Sequence, residues 1–151
     1  MRFAEFNEKA FDTLPELPAA DVRIMWADDW CDYAVQGIAS VEGRHVWFLL
    51  HDADALIVTG GELRYVLVEL TAEQVRENAH WHGLFCKYVG TLYDFTGRER
   101  VRHPQAQWSK FYEASARRVV PDYSSNQVIG WCRNFQWPHN SPLQPTGVTG
   151  G

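Results

Sequence analysis

Long apolar runs and secretion signals are both missing from this sequence. No stretch approaches the roughly 20 apolar residues that span a bilayer, and the first ten residues carry Arg2, Glu5, Glu8 and Lys9 instead of an apolar segment. The three cysteines form no CxxC pair, which argues against a disulfide framework or a structural zinc site. We therefore expect a reduced, cytoplasmic protein without membrane contact, cofactor or metal.

Reaction motifs are missing as well. The sequence has no GxSxG, P-loop or GxGxxG run, and Gly60-Gly61 alone indicates a turn. Catalytic pairs are often far apart in a sequence, so this absence leaves enzymatic activity open. On balance the sequence favours a protein that is not an enzyme.

Aromatic residues, in contrast, are plentiful. Seven tryptophans occur among 151 residues, and a buried indole needs a partner for its N–H group. They indicate either a core that gains area from large rings or an aromatic surface for a partner. In the second interpretation, an exposed cluster of Trp26, Trp30 and Trp47 anchors that partner.

The order of the sequence patterns predicts an α+β fold. Apolar residues alternate in four strand-like runs, a helical period begins at Thr71, and a further alternating run lies near the C terminus. Short links favour an antiparallel meander, and Glu42-Gly43 is typical of a tight hairpin. We expect a curved sheet of four to five strands packed against one long helix, with a second, shorter helix. The expected strands are Val22–Ala27, Tyr33–Val41, Arg44–His51, Leu63–Leu70 and Gln127–Arg133.

The long helix has clear end signals in the sequence. Thr71 and Gln74 match a capping box, and Gly90 stands where a helix often ends. A second helix is expected from Pro104 to about Arg117, with Trp108, Phe111 and Tyr112 on its apolar face. The inward face of the long helix is expected to hold Val75, Ala79, His82, Phe85, Cys86 and Val89.

Three segments make up the expected domain organisation. Residues 1–20 form an N-terminal arm in which Phe3 and two further phenylalanines pack onto the domain. Residues 21–135 form a single α+β domain. Residues 136–151 are rich in proline and glycine, which predicts a flexible tail.

An acidic segment follows the first expected strand. Residues 28–32 spell DDxxD, the motif with which terpene synthases and prenyltransferases hold magnesium and diphosphate. That motif works on a helix of a much larger all-helical protein. Here it falls between strands, so we expect a solvated acidic turn.

Histidines, carboxylates and one cysteine offer the candidate chemistry. His82 and Cys86 are four residues apart on the long helix, so they share a face and need a third ligand to hold zinc. With Asp94 they also match the residue types of a Cys–His–Asp nucleophile, but a thiol on the inward face is expected to be protonated and inert. A hydrolase would use His82 or His51 as base, within about 3 Å of Asp28 or Asp94 in an open pocket.

Charge is divided unevenly along the chain. Residues 1–97 carry seven basic and sixteen acidic side chains, a net charge of −9, whereas residues 98–151 carry seven basic and three acidic ones, a net charge of +4. Arg98, Arg100 and Arg102 are two apart and point the same way in an extended segment. With nearby aromatic rings they suit an anionic ligand or a nucleic acid. The alternative is an ordinary solvated face, and the acidic bulk of the chain disfavours non-specific DNA binding.

A set of short motifs is spread over about residues 22–132. They are Trp26, Gly43-Arg44-His45-Val46-Trp47-Phe48, Tyr65-Val66-Leu67-Val68-Glu69-Leu70-Thr71, Trp81-His82, Val89-Gly90-Thr91, Trp108-Ser109-Lys110-Phe111-Tyr112-Glu113 and Pro121-Asp122-Tyr123-Ser124. This combination resembles small uncharacterised bacterial proteins, notably from actinobacteria. The resemblance implies a bacterial, cytoplasmic protein and no particular activity, because aromatic and turn residues indicate fold rather than mechanism.

Three functions remain in competition. The leading expectation is a non-enzymatic binding or regulatory protein that recognises a protein partner through an aromatic and charged surface. One alternative is a small hydrolase with a His/Asp pair. The other is a protein that binds an anionic ligand or a nucleic acid through the basic segment 98–118.

Overall fold

The computed structural model describes residues 1–30, 33–51 and 63–133. By their contacts, the residues divide into two compact units. The sheet unit comprises residues 1–70 and the segment that starts at residue 122, and the helical unit includes residues 71–121. The boundaries expected for a single domain stay a prediction, and the expected tail and the Gly60-Gly61 turn lie outside the described residues.

The sheet unit is built on antiparallel strands. The strands are β1 (Val22–Trp30), β2 (Ala34–Val41), β3 (Arg44–His51), β4 (Arg64–Glu69) and β5 (Val128–Arg133). Among the described residues they form one five-stranded sheet in the order β1-β2-β3-β4-β5, which confirms the expected α+β class. Phe48, Tyr65 and Leu67 at its centre have no exposed area. Burial of such side chains stabilises the sheet by about 25 cal/mol for each Å² of apolar surface.

A two-residue turn joins β2 to β3. Val41 pairs with Arg44, and the intervening Glu42 and Gly43 have φ angles of 50° and 80°. Tight hairpin turns of type I′ need positive φ at both central residues, which glycine adopts without steric cost. The predicted hairpin is therefore confirmed.

The first strand is longer than the sequence pattern predicts. Asp28, Asp29 and Trp30 belong to β1, so the acidic turn expected to begin at Asp28 is wrong for these three residues. Register shifts interrupt the pairing of β1 with β2, and such irregularities take side chains out of strict alternation. The alternation in the sequence therefore stops before the strand does. Cys31 and Asp32 lie outside the described residues.

The N-terminal arm runs beside β5. It contains two short 3-10 segments, Phe3–Glu5 and Glu8–Asp12, and a third, Ala19–Asp21, leads from it into β1. Further along, the amide of Leu17 donates to the carbonyl of Trp131 at 2.8 Å, and the Trp131 amide donates to the carbonyl of Pro15 at 3.1 Å. The arm thus satisfies backbone groups that a strand at the edge of a sheet otherwise leaves open.

Aromatic rings fasten the arm to the sheet. The Phe3 ring lies 5.2 Å from the ring of Trp47, and the Phe11 ring lies 5.0 Å from that of Trp131. Phe6 packs against Phe11 at 5.3 Å. All three contacts are edge-to-face, the arrangement that aromatic pairs prefer. The expected packing of the three phenylalanines is confirmed.

In the helical unit, α1 spans Ala72–Tyr88. The Thr71 hydroxyl accepts from the Gln74 amide at 3.1 Å, and the Gln74 side chain accepts from the Thr71 amide at 3.0 Å, so the predicted capping box is confirmed. Gly90 follows the helix with a φ of 146°. A Cβ there would clash with the carbonyl oxygen of Val101, so the chain after α1 needs glycine at this position.

The buried stripe of α1 is polar. Asn78, His82 and Cys86 are its buried residues, spaced four apart along one face. Ala79, which the apolar pattern places inward, is exposed, because the stripe lies one residue away at Asn78. The Asn78 side chain remains satisfied by donating to the carbonyl of Gln74 at 2.9 Å. The spacing of apolar residues therefore does not place Asn78 on the inward face, because its side chain is polar.

The second helix is shorter than expected. Pro104 precedes a 3-10 turn over Gln105–Gln107, and α2 spans Trp108–Ser115. Tyr112, expected on the apolar face of α2, is 51% exposed. None of the helices in the described ranges is long and apolar enough to cross a membrane.

Candidate functional site

Buried polar residues are concentrated in the helical unit. Among the described residues, Asn78, His82 and Thr91 are the buried members of this class, and all three belong to that unit. Buried polar groups need partners, since an unsatisfied one costs about 1–3 kcal/mol. These buried polar side chains and their partners in the helical unit are therefore the first candidates for a functional site.

A loop after α1 returns to the end of that helix. The Thr91 amide donates to Val101 O at 2.8 Å, and the His103 amide donates to Val89 O at 2.9 Å. The Thr91 hydroxyl donates to Glu99 O at 2.5 Å and accepts from the Val101 amide at 2.8 Å. These bonds close residues 91–103 into a defined loop, so side chains within it can be held in fixed positions.

Three potential metal ligands or catalytic groups meet between α1 and this loop. Nε2 of His82 lies 2.6 Å from Oδ2 of Asp94 and 3.3 Å from Sγ of Cys86. The His82 and Asp94 side chains are 6% and 2% exposed, and Cys86 is also buried. The His82–Asp94 contact is the one that the hydrolase alternative requires.

Neighbouring groups hold the Asp94 carboxylate in place. Its Oδ1 accepts from the Thr96 amide at 2.8 Å and from the Thr96 hydroxyl at 2.5 Å, and Arg98 Nε lies 3.8 Å from its Oδ2. Burial raises the pKa of Asp94, but the hydrogen bonds from His82 and Thr96 outweigh it and leave the pKa below its ordinary value. Asp94 is therefore ionised near neutral pH, and Nε2 of His82 carries the proton that it donates.

The geometry does not match a nucleophile relay. In such a triad the two imidazole nitrogens serve different partners, one the nucleophile and the other the orienting carboxylate. Here the single Nε2 of His82 faces both Cys86 and Asp94. Burial and the Asp94 charge raise the pKa of the Cys86 thiol, which supports the expectation of a protonated, unreactive group.

A groove of about 200 Å³ lies elsewhere in the helical unit. The Trp108 indole that borders it donates its N–H to the carbonyl of His103 at 3.0 Å, so the ring is oriented by the loop. Arg102 is the charged residue of the lining. The groove is lined by Phe85, Val89, Gly90, Leu92, Tyr93, Arg102, Trp108 and Tyr112.

The three arginines of the basic segment are exposed and differ in their surroundings. Arg98 approaches Asp94, whereas Arg102 lines the groove and pairs through its backbone with Gly90. Burial of part of Arg100 lowers the pKa of its guanidinium. Their expected binding role stays a prediction, and Arg102 is the one that the structure places beside a cavity.

The exposed tryptophan cluster expected from the sequence is wrong. Trp26 and Trp47 are buried, with 6% and 8% of their surface exposed, and Trp30 is half-buried. The Trp47 indole donates to the side chain of Gln36 at 3.2 Å. Large rings here build the core of the sheet unit, so Trp26 and Trp47 offer little surface to a partner.

The remaining catalytic candidates lie in the sheet unit. The His51 ring packs edge-on against the rings of Phe6 and Phe11, at 5.6 and 5.0 Å. Asp28 is exposed on β1. Of the predicted pairs, the structure thus brings His82 and Asp94 together.

Sequence reasoning missed Thr96 and the groove. An Asp followed two residues later by Thr is typical of an Asx turn, so the Asp94–Thr96 contact had a local signal. No local sequence signal marks the lining of the groove, because Phe85, Tyr93 and Trp108 come from separate segments. Comparison with protein-family models, curated proteins and solved structures finds no match to this chain.

Proposed function

We propose that this chain is a non-enzymatic binding protein that holds a small, single-ring anion in the groove of the helical unit. The observation that carries the proposal is that Arg102 is the single charged residue in a lining that is otherwise aromatic and apolar. Binding sites commonly combine apolar walls with a few polar groups that orient the ligand. This proposal joins two expectations from the sequence, the aromatic binding surface and the anionic ligand.

Aromatic walls supply the contact area. Phe85, Tyr93, Trp108 and Tyr112 contribute rings to the lining, and the Phe85 and Tyr93 rings lie 6.3 Å apart. Stacked or edge-on aromatic contacts stabilise a ring by roughly 0.5–1.5 kcal/mol beyond its buried area. A planar ligand suits these walls better than a branched aliphatic one.

Arg102 supplies the charge. Among the described residues, none forms a hydrogen bond or an ion pair with its side chain. A guanidinium offers two parallel N–H donors that match a carboxylate or a phosphate. The acid group of the ligand is therefore expected at Arg102, with its ring against Trp108 or Tyr112.

The volume limits the size of the ligand. A cavity of roughly 150 Å³ accepts benzene, whereas sites for drug-sized ligands begin at about 300 Å³. The groove, at about 200 Å³, lies between these values. A single ring with one acid group fits this range.

Benzoate and phenyl phosphate are suitable probes, and benzyl alcohol is the neutral control. We expect the two acids to bind the full chain with millimolar affinity in NMR titrations, and benzyl alcohol to bind at least tenfold more weakly. Arg102→Ala should abolish the preference for the acids. Arg117→Ala removes an exposed arginine outside the groove and should leave it unchanged.

Two results would contradict this function. One is equal affinity for the acids and the alcohol, since the guanidinium would then contribute nothing. The other is acid binding that survives Arg102→Ala but decreases steeply with salt, which would indicate a diffuse basic surface and favour nucleic acid.

A hydrolase is the second candidate, and the 2.6 Å contact of His82 with Asp94 favours it. A His/Asp pair in hydrogen-bond contact is the arrangement that a general base requires. His82 is, however, 6% exposed and does not line the groove. Hydrolysis of aryl esters above background that disappears in His82→Gln, but not in His80→Gln at the exposed histidine two residues earlier in α1, would establish this candidate.

The cellular location of the protein and its macromolecular partners are two further expectations. A cytoplasmic location is supported by the free thiols of Cys86 and Cys132, since reducing compartments keep cysteines unpaired, and a bacterial source stays a prediction. A protein partner, expected from the sequence, stays a prediction. A pull-down from lysate with and without nuclease tests it, because a stoichiometric protein that survives nuclease is the required result.

A further inference from the structure

A second site lies in the helical unit, and it does not depend on the function proposed for the groove. We infer that His82, Cys86 and Asp94 bind one transition-metal ion, zinc being the best fit, between α1 and the loop that follows it. The donor atoms of the three side chains all lie within 4.8 Å of one another. The sequence pattern alone predicts no metal, and Asp94 is the third ligand that His82 and Cys86 need.

The separations between donor atoms fit a tetrahedral zinc ion. Bonds of about 2.0 Å to nitrogen and oxygen and about 2.3 Å to sulfur place nitrogen and sulfur ligands roughly 3.5 Å apart. Nε2 of His82 lies 3.3 Å from Sγ of Cys86, close to that value. Oδ2 of Asp94, now 2.6 Å from Nε2, needs to move by less than about 1 Å to take its place as the third ligand.

The donor types select the kind of metal. Calcium and magnesium prefer six or more oxygen ligands, so a sulfur and an imidazole nitrogen suit neither. A zinc ion would bind Cys86 as the thiolate and Nε2 of His82 without its proton, so binding displaces the proton from each of these two atoms. One nitrogen, one sulfur and one carboxylate oxygen favour zinc, or cobalt as its spectroscopic substitute. Three protein ligands also leave the fourth tetrahedral position to a water molecule.

The fold holds these ligands in place. His82 and Cys86 are one helical turn apart on a single face of α1, so their relative position is set by the helix. The Asp94 carboxylate is oriented through Oδ1 by the amide and hydroxyl of Thr96, which leaves Oδ2 directed at His82. Outer contacts of this kind position metal ligands in known sites. Arg98, 51% exposed, can move away from Asp94 when a cation binds.

Cobalt titration of the full chain under reducing conditions tests the site. We expect one Co²⁺ per chain, with the near-ultraviolet absorption of a cobalt–thiolate bond and the visible bands of tetrahedral coordination. Zinc should displace the cobalt and remove both signals. Cys86→Ser should eliminate the thiolate band, whereas Cys31→Ser and Cys132→Ser should retain it.

Matched variants separate this site from adventitious binding. Asp94→Asn should weaken binding at least tenfold, while Asp122→Asn should not, although Asp122 makes the same two contacts to Ser124 that Asp94 makes to Thr96. His82→Ala should abolish tetrahedral binding, and the exposed His80→Ala should preserve it. Thr96→Val, a change in a positioning residue, should weaken binding by about tenfold.

The inference is overturned if no cobalt–thiolate band forms, or if the band survives Cys86→Ser. Circular dichroism of each variant guards against misfolding. If His82→Ala does not fold, Asp94→Asn with its Asp122→Asn control still decides the question. If the metal-binding test fails, the proposal of anion binding in the groove is unaffected, because the benzoate titration is carried out with a metal chelator present.

Discussion

The two units of this chain bury different chemistry. Among described residues, the sheet unit buries apolar, aromatic and cysteine side chains, with the Tyr65 hydroxyl donating to Ala34 O at 2.7 Å. The helical unit buries an amide, an imidazole, a hydroxyl and a carboxylate. Apolar burial stabilises a fold in proportion to the buried area, whereas a buried polar cluster is stable only when its hydrogen bonds are satisfied. The sheet unit therefore gains its stability mainly from apolar burial, and the residues on which both of our proposals draw lie in the helical unit.

The largest effect is expected from the core of the sheet unit. Phe48→Ala removes a side chain with no exposed area, so we expect a loss of about 3–5 kcal/mol in the free energy of unfolding. Urea unfolding followed by circular dichroism measures it. Val119→Ala, at a residue 84% exposed, should change stability by less than about 0.5 kcal/mol. A loss below about 1 kcal/mol for Phe48→Ala would contradict the view that apolar burial in the sheet unit stabilises the fold.

The next effect belongs to the buried cluster of the helical unit. Asp94→Ala takes a hydrogen-bond acceptor away from the buried His82, which should destabilise the fold by about 1–3 kcal/mol. The matched change Asp122→Ala removes equivalent turn contacts to Ser124 at an exposed position and should cost less. Equal losses in urea unfolding would mean that burial of Asp94 contributes nothing.

A smaller effect is expected at the start of α1. Thr71→Ala removes the hydroxyl that accepts from the Gln74 amide, so we expect a loss of about 1 kcal/mol. Thr71→Ser keeps the acceptor and should restore most of that stability. If alanine and serine give the same unfolding midpoint, the cap does not stabilise the helix.

The smallest expected effect on stability at neutral pH comes from the ionisation of one thiol in the sheet unit, that of Cys132. Burial raises the pKa of Cys132 from 9.0 to about 12. Because the folded pKa lies above the unfolded one, this group favours the folded state fully below pH 9, and its contribution is lost as the pH rises toward 12. Cys132→Ala should therefore reduce the alkaline loss of stability, measured as the urea midpoint between pH 8 and pH 11. An unchanged pH dependence would contradict this assignment.

Local patterns predicted much of the fold. Alternation located β3 at its observed bounds, and the Thr71 and Gln74 pair located the start of α1, because both signals act between near neighbours. The end of β1 was not predictable, since irregular pairing with β2 depends on a partner strand. His82 and Cys86 were predicted on the inward face, but Asn78 was missed because that face was assigned from apolar spacing, which placed Ala79 there instead.

The site was predictable only in part. The spacing of His82 and Cys86 showed that they share a helix face, and Asp94 was already a candidate. Asp94 reaches His82 and Cys86 because Thr91 closes the loop that carries it, and the sequence spacing of these residues does not predict that loop. The burial of Trp47 was equally hidden, because composition cannot tell a core ring from a surface ring.

An NMR titration of the uniformly ¹⁵N-labelled chain with benzoate tests the central claim most directly. We expect backbone amide shifts concentrated at residues that line the groove, such as Tyr93, Arg102 and Trp108, with the amides of the sheet unit unchanged. Shifts concentrated in the sheet unit, or none at millimolar benzoate, would contradict the assignment of ligand binding to the helical unit.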